Sequence, residues 1–206
     1  SQGYRNRYGI GWYRKTLTLE EKREGIRCFL DFGGIYENST VWVNGKEAGG
    51  HKYGYSSFRL DVTELVREGE NRIEVRVDNT GTPSDRWYSG AGIYRTVRWI
   101  ETEEIHLDEK EVIIHTGVEG KNGKVTVYTG LPGRTVRAGL RDGEQEWQAQ
   151  TDDGRMEILV PEAKLWSAEE PNLYELTLSL MDGEREMDRL SFCVGIREIS
   201  MAPELP

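Results

Sequence analysis

The sequence has few cysteines and no long hydrophobic run. Its two cysteines, Cys28 and Cys193, lie far apart among 206 residues, each inside an apolar run typical of a strand. This placement favours buried free thiols over a disulfide. No apolar stretch reaches the roughly 18 residues needed to span a membrane, and no secretory signal segment opens the chain. We therefore expect a cytoplasmic protein. A periplasmic or secreted location is the alternative, because the chain begins in the middle of a sequence pattern.

The sequence also lacks an excess of positive charge. Its formal net charge is −9, whereas binding to nucleic acid or to an anionic membrane usually requires a basic surface. We therefore expect neither partner. The length is sufficient for one large or two ordinary domains that bury a core without disulfides or metals.

Helical periodicity is scarce, and strand patterns dominate. Apolar residues alternate with other side chains in Ile26–Phe32 and again in Ile73–Val77, which predicts half-buried strands. The best helical candidate, residues 61–69, is two turns at most and indicates a connector between strands. Five Asx-Gly pairs favour type I′ hairpin turns, namely Asn44-Gly45, Asn122-Gly123, Asp142-Gly143, Asp153-Gly154 and Asp182-Gly183. The sequence therefore predicts an antiparallel, all-β protein.

A domain boundary is predicted within residues 100–108. The sequence there, IETEEIHLD, interrupts the strand pattern with acidic residues, and the preceding part is rich in Trp, Tyr and Gly. From about residue 104, short strands follow at near-regular spacing, as in an immunoglobulin-like sandwich of about seven strands. Residues 174, 176, 178 and 180 are expected to form the buried face of its strongest strand.

The sequence contains no recognisable set of catalytic residues. The three histidines, His51, His106 and His115, do not have the spacing of a metal-binding set. The glycine pairs at residues 9–11 and 90–92 lack the helix that a phosphate-binding loop requires. Most carboxylates occur in charged surface runs with no sign of a glycosidase pair. We expect no metal, no cofactor and no catalytic residue.

The segment RWYSGAGIYR, residues 86–95, is the best candidate for binding. Asp85 precedes Arg86, Trp87 and Tyr88, and glycines follow. A carboxylate beside aromatic rings is typical of sugar recognition, because the acid accepts hydroxyl hydrogens and the rings cover the C–H face of a pyranose. The substrate-binding candidates are therefore Asp85, Arg86, Trp87 and Tyr88, whereas Gly92 and the next three residues are expected to form a corner leading into a strand.

Five motifs in order resemble glycoside hydrolase family 2, which includes β-galactosidases, β-glucuronidases and β-mannosidases. They are GWYRKTL at 11–17, the stretch from TVWVNGK to RVDN at 40–79, RWYSGAGIYRTV at 86–97, LWSAEEPNLYELTLSL at 165–180 and FCVGIREI at 192–199. The resemblance implies a galactose-binding-like jelly roll at 1–103, N-terminally incomplete, an immunoglobulin-like sandwich at 104–200, and the start of a linker at 201–206.

The resemblance also implies a role. In this family a (β/α)₈ barrel follows these two domains and carries two catalytic glutamates. The chain would be the non-catalytic N-terminal region of a retaining β-galactosidase, partnered by that barrel and by a β-galactoside. An acidic residue corresponding to Asp85 reaches the active site in family members. Its spacing to Gly92 is one residue longer here, so Arg86 or Tyr88 is the alternative. A stand-alone carbohydrate-binding module and a structural pair of sandwiches are the competing interpretations.

Overall fold

The computed structural model describes residues 9–81 and 91–199, and within these ranges the chain forms sixteen strands and no helix. This confirms the predicted all-β class. The chain divides between Ile105 and His106 into two compact units, each with its own hydrophobic core. In these ranges, no helix has the length and apolarity needed to cross a membrane.

The first unit is a jelly roll built from nine strands among its described residues. Its main sheets have the orders β1-β7-β4-β5 and β6-β2-β9, and β3 pairs with β8. The strands are β1 (Gly9–Leu19), β2 (Ile26–Phe32), β3 (Ile35–Tyr36), β4 (Ser39–Val43), β5 (Lys46–His51), β6 (Phe58–Asp61), β7 (Gly69–Asn79), β8 (Gly92–Ile93) and β9 (Val97–Glu103). Their core includes Phe32, Val41 and Val77, each at most 2% exposed, and burial of such a side chain stabilises the fold by roughly 1.5–3 kcal/mol.

Strand β2 is buried on both faces, so the prediction of a half-buried strand was wrong for it. Leu30 and Phe32 point into the core as the alternation requires, but Phe29 and Asp31 on the other face are also buried. The guanidinium groups of Arg27 and Arg59 lie 5.1 and 5.8 Å from the centre of the Phe29 ring. Long cationic side chains therefore cover the outer face of this strand.

The second unit is an immunoglobulin-like sandwich, and its described part, residues 106–199, forms seven strands. Its sheets have the orders β10-β11-β14 and β13-β12-β15-β16. The strands are β10 (Ile113–Glu119), β11 (Asn122–Tyr128), β12 (Val136–Asp142), β13 (Gln145–Thr151), β14 (Arg155–Val160), β15 (Tyr174–Asp182) and β16 (Arg185–Val194). Residues 174, 176, 178 and 180 are all buried, as predicted. Cys193, expected to be buried, is exposed, whereas Cys28 is buried and both thiols are free.

One Asx-Gly pair forms the predicted type I′ turn. Asn44 and Gly45 lie between β4 and β5 with φ of 52° and 81°, which is the required sign at both positions. In the hairpins at Asp142-Gly143 and Asp182-Gly183 the aspartate ends the strand, so glycine is the first turn residue. Each glycine has φ of 59°, and φ is positive at this first turn residue but not at the second, as in a type II′ turn.

The remaining two Asx-Gly pairs do not form hairpin turns. Asn122 and Gly123 lie inside β11, and Asp153-Gly154 connects strands of different sheets. Those predictions were wrong because an Asx-Gly pair permits a turn without fixing where strand pairing ends. The connector at residues 61–69 contains a single turn, in which the Val62 carbonyl accepts hydrogen bonds from the Leu65 and Val66 amides.

Candidate functional site

The predicted binding residues Asp85, Arg86, Trp87 and Tyr88 lie outside the described residues. The structure does describe where the chain enters and leaves this segment. Strand β7 ends at Asn79 before it, and β8 begins at Gly92 after it. The site can therefore be built from the residues that hold these two ends.

Both ends are attached to the short stretch Ile35–Asn38. The Asp78 amide donates to the carbonyls of Glu37 and Asn38 at 3.2 and 3.3 Å, and the Asn38 side chain donates to the Asp78 carbonyl. On the other side, β8 pairs with β3, aligning Gly92 with Tyr36. One stretch of four residues thus holds the described backbone on both sides of residues 82–90, at Asp78 and at Gly92.

Gly92 is the corner predicted from the sequence. Its φ is 102°, and a methyl group on its Cα would lie 2.0 Å from the Tyr13 hydroxyl. Ile93 packs against the core, the Tyr94 hydroxyl donates to the Gly54 carbonyl at 2.8 Å, and the Arg95 guanidinium lies over the Tyr94 ring. The geometry agrees with a structural role for these residues.

Four tyrosines form a cluster at the base of the segment, which we call the loop-base cluster: Tyr36, Tyr53, Tyr55 and Tyr94. The Tyr55 ring centre lies 5.4 Å from that of Tyr36, 5.8 Å from that of Tyr53 and 6.5 Å from that of Tyr94. Tyr53, Tyr55 and Tyr94 are 62%, 42% and 44% exposed. Exposed rings with hydroxyl groups are suited to a polar ligand that also has an apolar face, such as a sugar.

A carboxylate lies beside the entrance to the segment. Glu37 is half-buried, and a methyl group added to Gly81 would lie 3.8 Å from its Oε1 atom. An ionised carboxylate accepts hydrogen bonds only, which matches the hydroxyl groups of a sugar. The described residues contain no group of three or more His, Cys, Asp or Glu side chains that could hold a metal.

Sequence reasoning missed Glu37 and the tyrosines outside GIYR. The stretches GGIYEN and KYGYSS each combine tyrosine with glycine, which was the available signal. Gly54 permits the contact, because a Cβ there would lie 2.2 Å from the Tyr36 ring. Periodicity alone did not indicate that these two stretches meet.

The motif LWSAEEPNLY has a structural role in the second unit. The Trp166 amide donates to the Ile196 carbonyl at 2.8 Å, and the Arg197 guanidinium lies 4.8 Å from the Trp166 ring centre. The Tyr174 hydroxyl accepts from the Lys164 amide at 2.8 Å. These contacts fix the backbone after β16.

Residues 2–103 match the family profile described as glycosyl hydrolases family 2, sugar binding domain, and residues 99–197 match the profile described as glycosyl hydrolases family 2. A β-galactosidase of Bacteroides ovatus is 36% identical, over 94% of this chain and 25% of its own length. A β-glucuronidase of Bacteroides fragilis is 27% identical, over 95% of this chain and 32% of its own length. The chain thus spans about a third or less of these curated relatives.

Similarity extends to solved structures. The crystal structure of a β-glycosidase from Bacteroides vulgatus superimposes with a TM-score of 0.84 and 29% identity, covering 95% of this chain and 27% of that one. A β-glucuronidase from an uncultured Clostridium superimposes with a TM-score of 0.81 and 26% identity, covering 96% of this chain and 36% of that one. Each match extends over both units.

Proposed function

Because the chain belongs to glycoside hydrolase family 2, we propose that it is the non-catalytic N-terminal region of a retaining β-glycosidase. Consecutive matches to the two family profiles support this reading. In the proposal, residues 1–103 are the jelly-roll domain, 104–200 the immunoglobulin-like domain and 201–206 the start of a linker to a catalytic barrel. The chemistry belongs to that barrel, because glycoside hydrolysis in this class requires two carboxyl groups flanking one bond.

The contribution of this chain is a loop that enters the active site of the barrel. The supporting observation is that the backbone before and after residues 82–90, at Asp78 and Gly92, is held by Ile35–Asn38 near three exposed tyrosines. A rigid base lowers the entropy cost of placing side chains against a substrate. Asp85 would accept a hydrogen bond from a sugar hydroxyl, and Arg86, Trp87 and Tyr88 would complete the contact.

The proposed substrate is a terminal β-galactoside. The formal charge of −9 favours a neutral sugar over a uronate anion, since like charges repel. Carboxylates at Asp85 and Glu37 would add to that repulsion locally. β-Glucuronides are the competing class, because relatives of both names match equally long parts of the chain.

The test is made on the whole enzyme that contains this region. We expect Asp85→Asn to lower kcat/KM for nitrophenyl β-galactoside about ten- to hundredfold, the loss typical of one hydrogen bond to a charged group. The matched control is Glu20→Gln, an exposed carboxylate between β1 and β2, which should leave kcat/KM unchanged.

Two results would count against the proposal. If kcat/KM were unchanged in Asp85→Asn, in Arg86→Ala and in Tyr88→Ala, the loop would not contribute to the active site. If kcat/KM were higher for nitrophenyl β-glucuronide than for nitrophenyl β-galactoside, the substrate would be a β-glucuronide. The proposed role of the loop would not be affected.

A further inference from the structure

A second aromatic surface lies on the outer face of the sheet β1-β7-β4-β5. Trp12 on β1 and Trp42 on β4 stack across β7, with ring centres 5.4 Å apart and planes inclined by 29°. Trp12 is 62% exposed, although it is one of the largest apolar side chains. We call this surface, with the polar residues around it, the tryptophan face.

The alternation of the strands explains why both rings point outward. Val41, Val75 and Val77, which lie on the opposite face of the same sheet, are buried in the core. Trp12 aligns with Arg76, which in turn aligns with Thr40, so these three residues share the outer face. Because the valines of the inner face form the core, Trp12 is not needed to fill it. An exposed aromatic ring of this size is a common feature of binding surfaces.

Paired charged groups hold the polar surroundings of the rings in place. Arg76 donates to Asp78 at 2.7 Å, and Glu74 accepts from Arg14 at 2.9 Å and pairs with Arg72 at 3.1 Å. Hydrogen bonds from the Thr80 side chain and amide, together with Arg76, lower the pKa of Asp78, so it is an ionised acceptor at neutral pH.

This face has no excess of positive charge. Arginines 14, 72 and 76 lie among four carboxylates on neighbouring strand positions, those of Glu47, Glu70, Glu74 and Asp78, and each arginine is paired with Glu74 or Asp78. Such a surface offers fixed donors and acceptors, and no unpaired arginine that would select an anion. It is therefore suited to a neutral ligand rich in hydroxyl groups.

We propose that the tryptophan face binds a neutral β-linked oligosaccharide, with the Trp12 ring against the C–H face of one pyranose and Arg76 and Asp78 on its hydroxyl groups. The residues involved differ from those of the loop-base cluster and of residues 82–90. A single sugar on an open sheet buries too little surface to offset the cost of association. The ligand is therefore a chain of several sugars that follows the strands.

The experiment titrates the 206-residue chain, labelled with ¹⁵N, with three neutral hexasaccharides: β-1,4-galactohexaose, cellohexaose and xylohexaose. We expect saturable shifts of the Trp12 and Trp42 indole signals with at least one of them, and no saturation with galactose. Trp12→Ala should weaken that binding by at least about tenfold, and Trp12→Tyr should retain part of it. The matched control, Tyr128→Ala, removes an exposed ring of the second unit and should bind as the unmodified chain does.

Three outcomes would overturn the proposal. The first is the absence of saturable shifts with all three hexasaccharides. The second is binding that Trp12→Ala leaves unchanged while its circular dichroism stays native. The third is self-association in sedimentation that Trp12→Ala abolishes, which would make the face an interface between copies of this chain. The activity of loop variants of the whole enzyme tests the proposed function alone. The proposed function and the proposal for the tryptophan face can therefore fail separately.

Discussion

At the scale of single residues, Gly92 shows how one backbone position supports the base of the candidate loop. The closely spaced glycines in RWYSGAGIYR could serve either a corner or the approach of a ligand. Gly92 has positive φ, and its missing side chain leaves room for the Tyr13 hydroxyl. Its role is therefore internal packing, which allows β8 to lie next to β3.

We expect Gly92→Ala to lower the free energy of unfolding by about 2–4 kcal/mol, because it combines left-handed strain with a clash against Tyr13. Urea denaturation measures this change. Gly9→Ala is the matched control, since nothing lies within 4 Å of the added methyl group, and its effect should stay within about 0.5 kcal/mol. Equal effects of the two substitutions would refute this packing role.

Asp61 links stability to pH. Burial raises the pKa of its carboxyl group, but hydrogen bonds from the side chain and amide of Thr63 and from Arg27 outweigh that effect, and the pKa is lowered from 3.8. A pKa lower in the folded state stabilises the fold above the unfolded value, and the contribution disappears as the pH falls through the folded value.

Asp61→Asn should therefore lower the thermal midpoint of unfolding more at about pH 6 than at about pH 2.5, which lies below the pKa of an aspartate in the unfolded chain, so that part of the stabilisation by the ionised carboxyl is already lost there. Thr63→Val, which removes one of the hydrogen bonds, should show the same pattern. Calorimetry at the two pH values measures both effects. If Asp61→Asn lowered the thermal midpoint equally at both pH values, the ionised Asp61 carboxylate would not be the source of the pH dependence.

At the scale of secondary-structure elements, a buried asparagine joins the β4–β5 hairpin to the connector before β7. Asn71 is fully buried. Its Oδ1 atom accepts from the Asn44 side chain at 2.8 Å and from the Arg67 amide at 2.9 Å, and its Nδ2 atom donates to the carbonyls of Arg67 and Gly69. One side chain thus hydrogen-bonds to three backbone groups of the connector, the Arg67 amide and the carbonyls of Arg67 and Gly69.

Replacing Asn71 with alanine should cost about 2–4 kcal/mol of unfolding free energy, because each buried polar group left without a partner costs about 1–3 kcal/mol. Asn122→Ala, at an exposed position, should cost less than about 1 kcal/mol. Chemical denaturation of the two variants compares them directly. Similar losses would show that the Asn71 network does not determine the stability of this region.

The strands that the sequence predicted well are those with one buried face. Leu176 and Leu178 alternate with half-buried side chains in β15, and the pattern matches the structure. Strand β13, QEWQAQT, was not predicted, because it is a polar edge strand in which Trp147 and Ala149 are only partly buried. Edge strands need little apolar surface, so periodicity carries little information about them.

The loop-base cluster could not be predicted, for a different reason. Its rings come from β3, from the connection between β5 and β6, and from the residue after β8. A contact between positions almost forty residues apart, such as that of Tyr55 with Tyr94, depends on strand order, and the sequence contains no local signal for that order. The sequence indicated Asp85, Arg86, Trp87 and Tyr88 as binding candidates without revealing this cluster.

At the scale of the whole molecule, the chain consists of two β-sandwich units, each with a separate core, and neither requires a disulfide. Several carboxylates of the described residues are paired with arginine, including Asp31 with Arg59 and Asp61 with Arg27. Such pairs support structure and leave the acid unsuited to proton transfer, because the neighbouring cation favours the ionised form.

The measurement that tests this account most directly is the initial rate of hydrolysis of nitrophenyl β-galactoside and nitrophenyl β-glucuronide by the purified 206-residue chain. We expect no turnover above the uncatalysed rate, since transition-state stabilisation in this class needs a pair of carboxyl groups held on either side of the glycosidic bond. Turnover of either substrate that is abolished by substitution of one carboxylate of this chain would contradict the account.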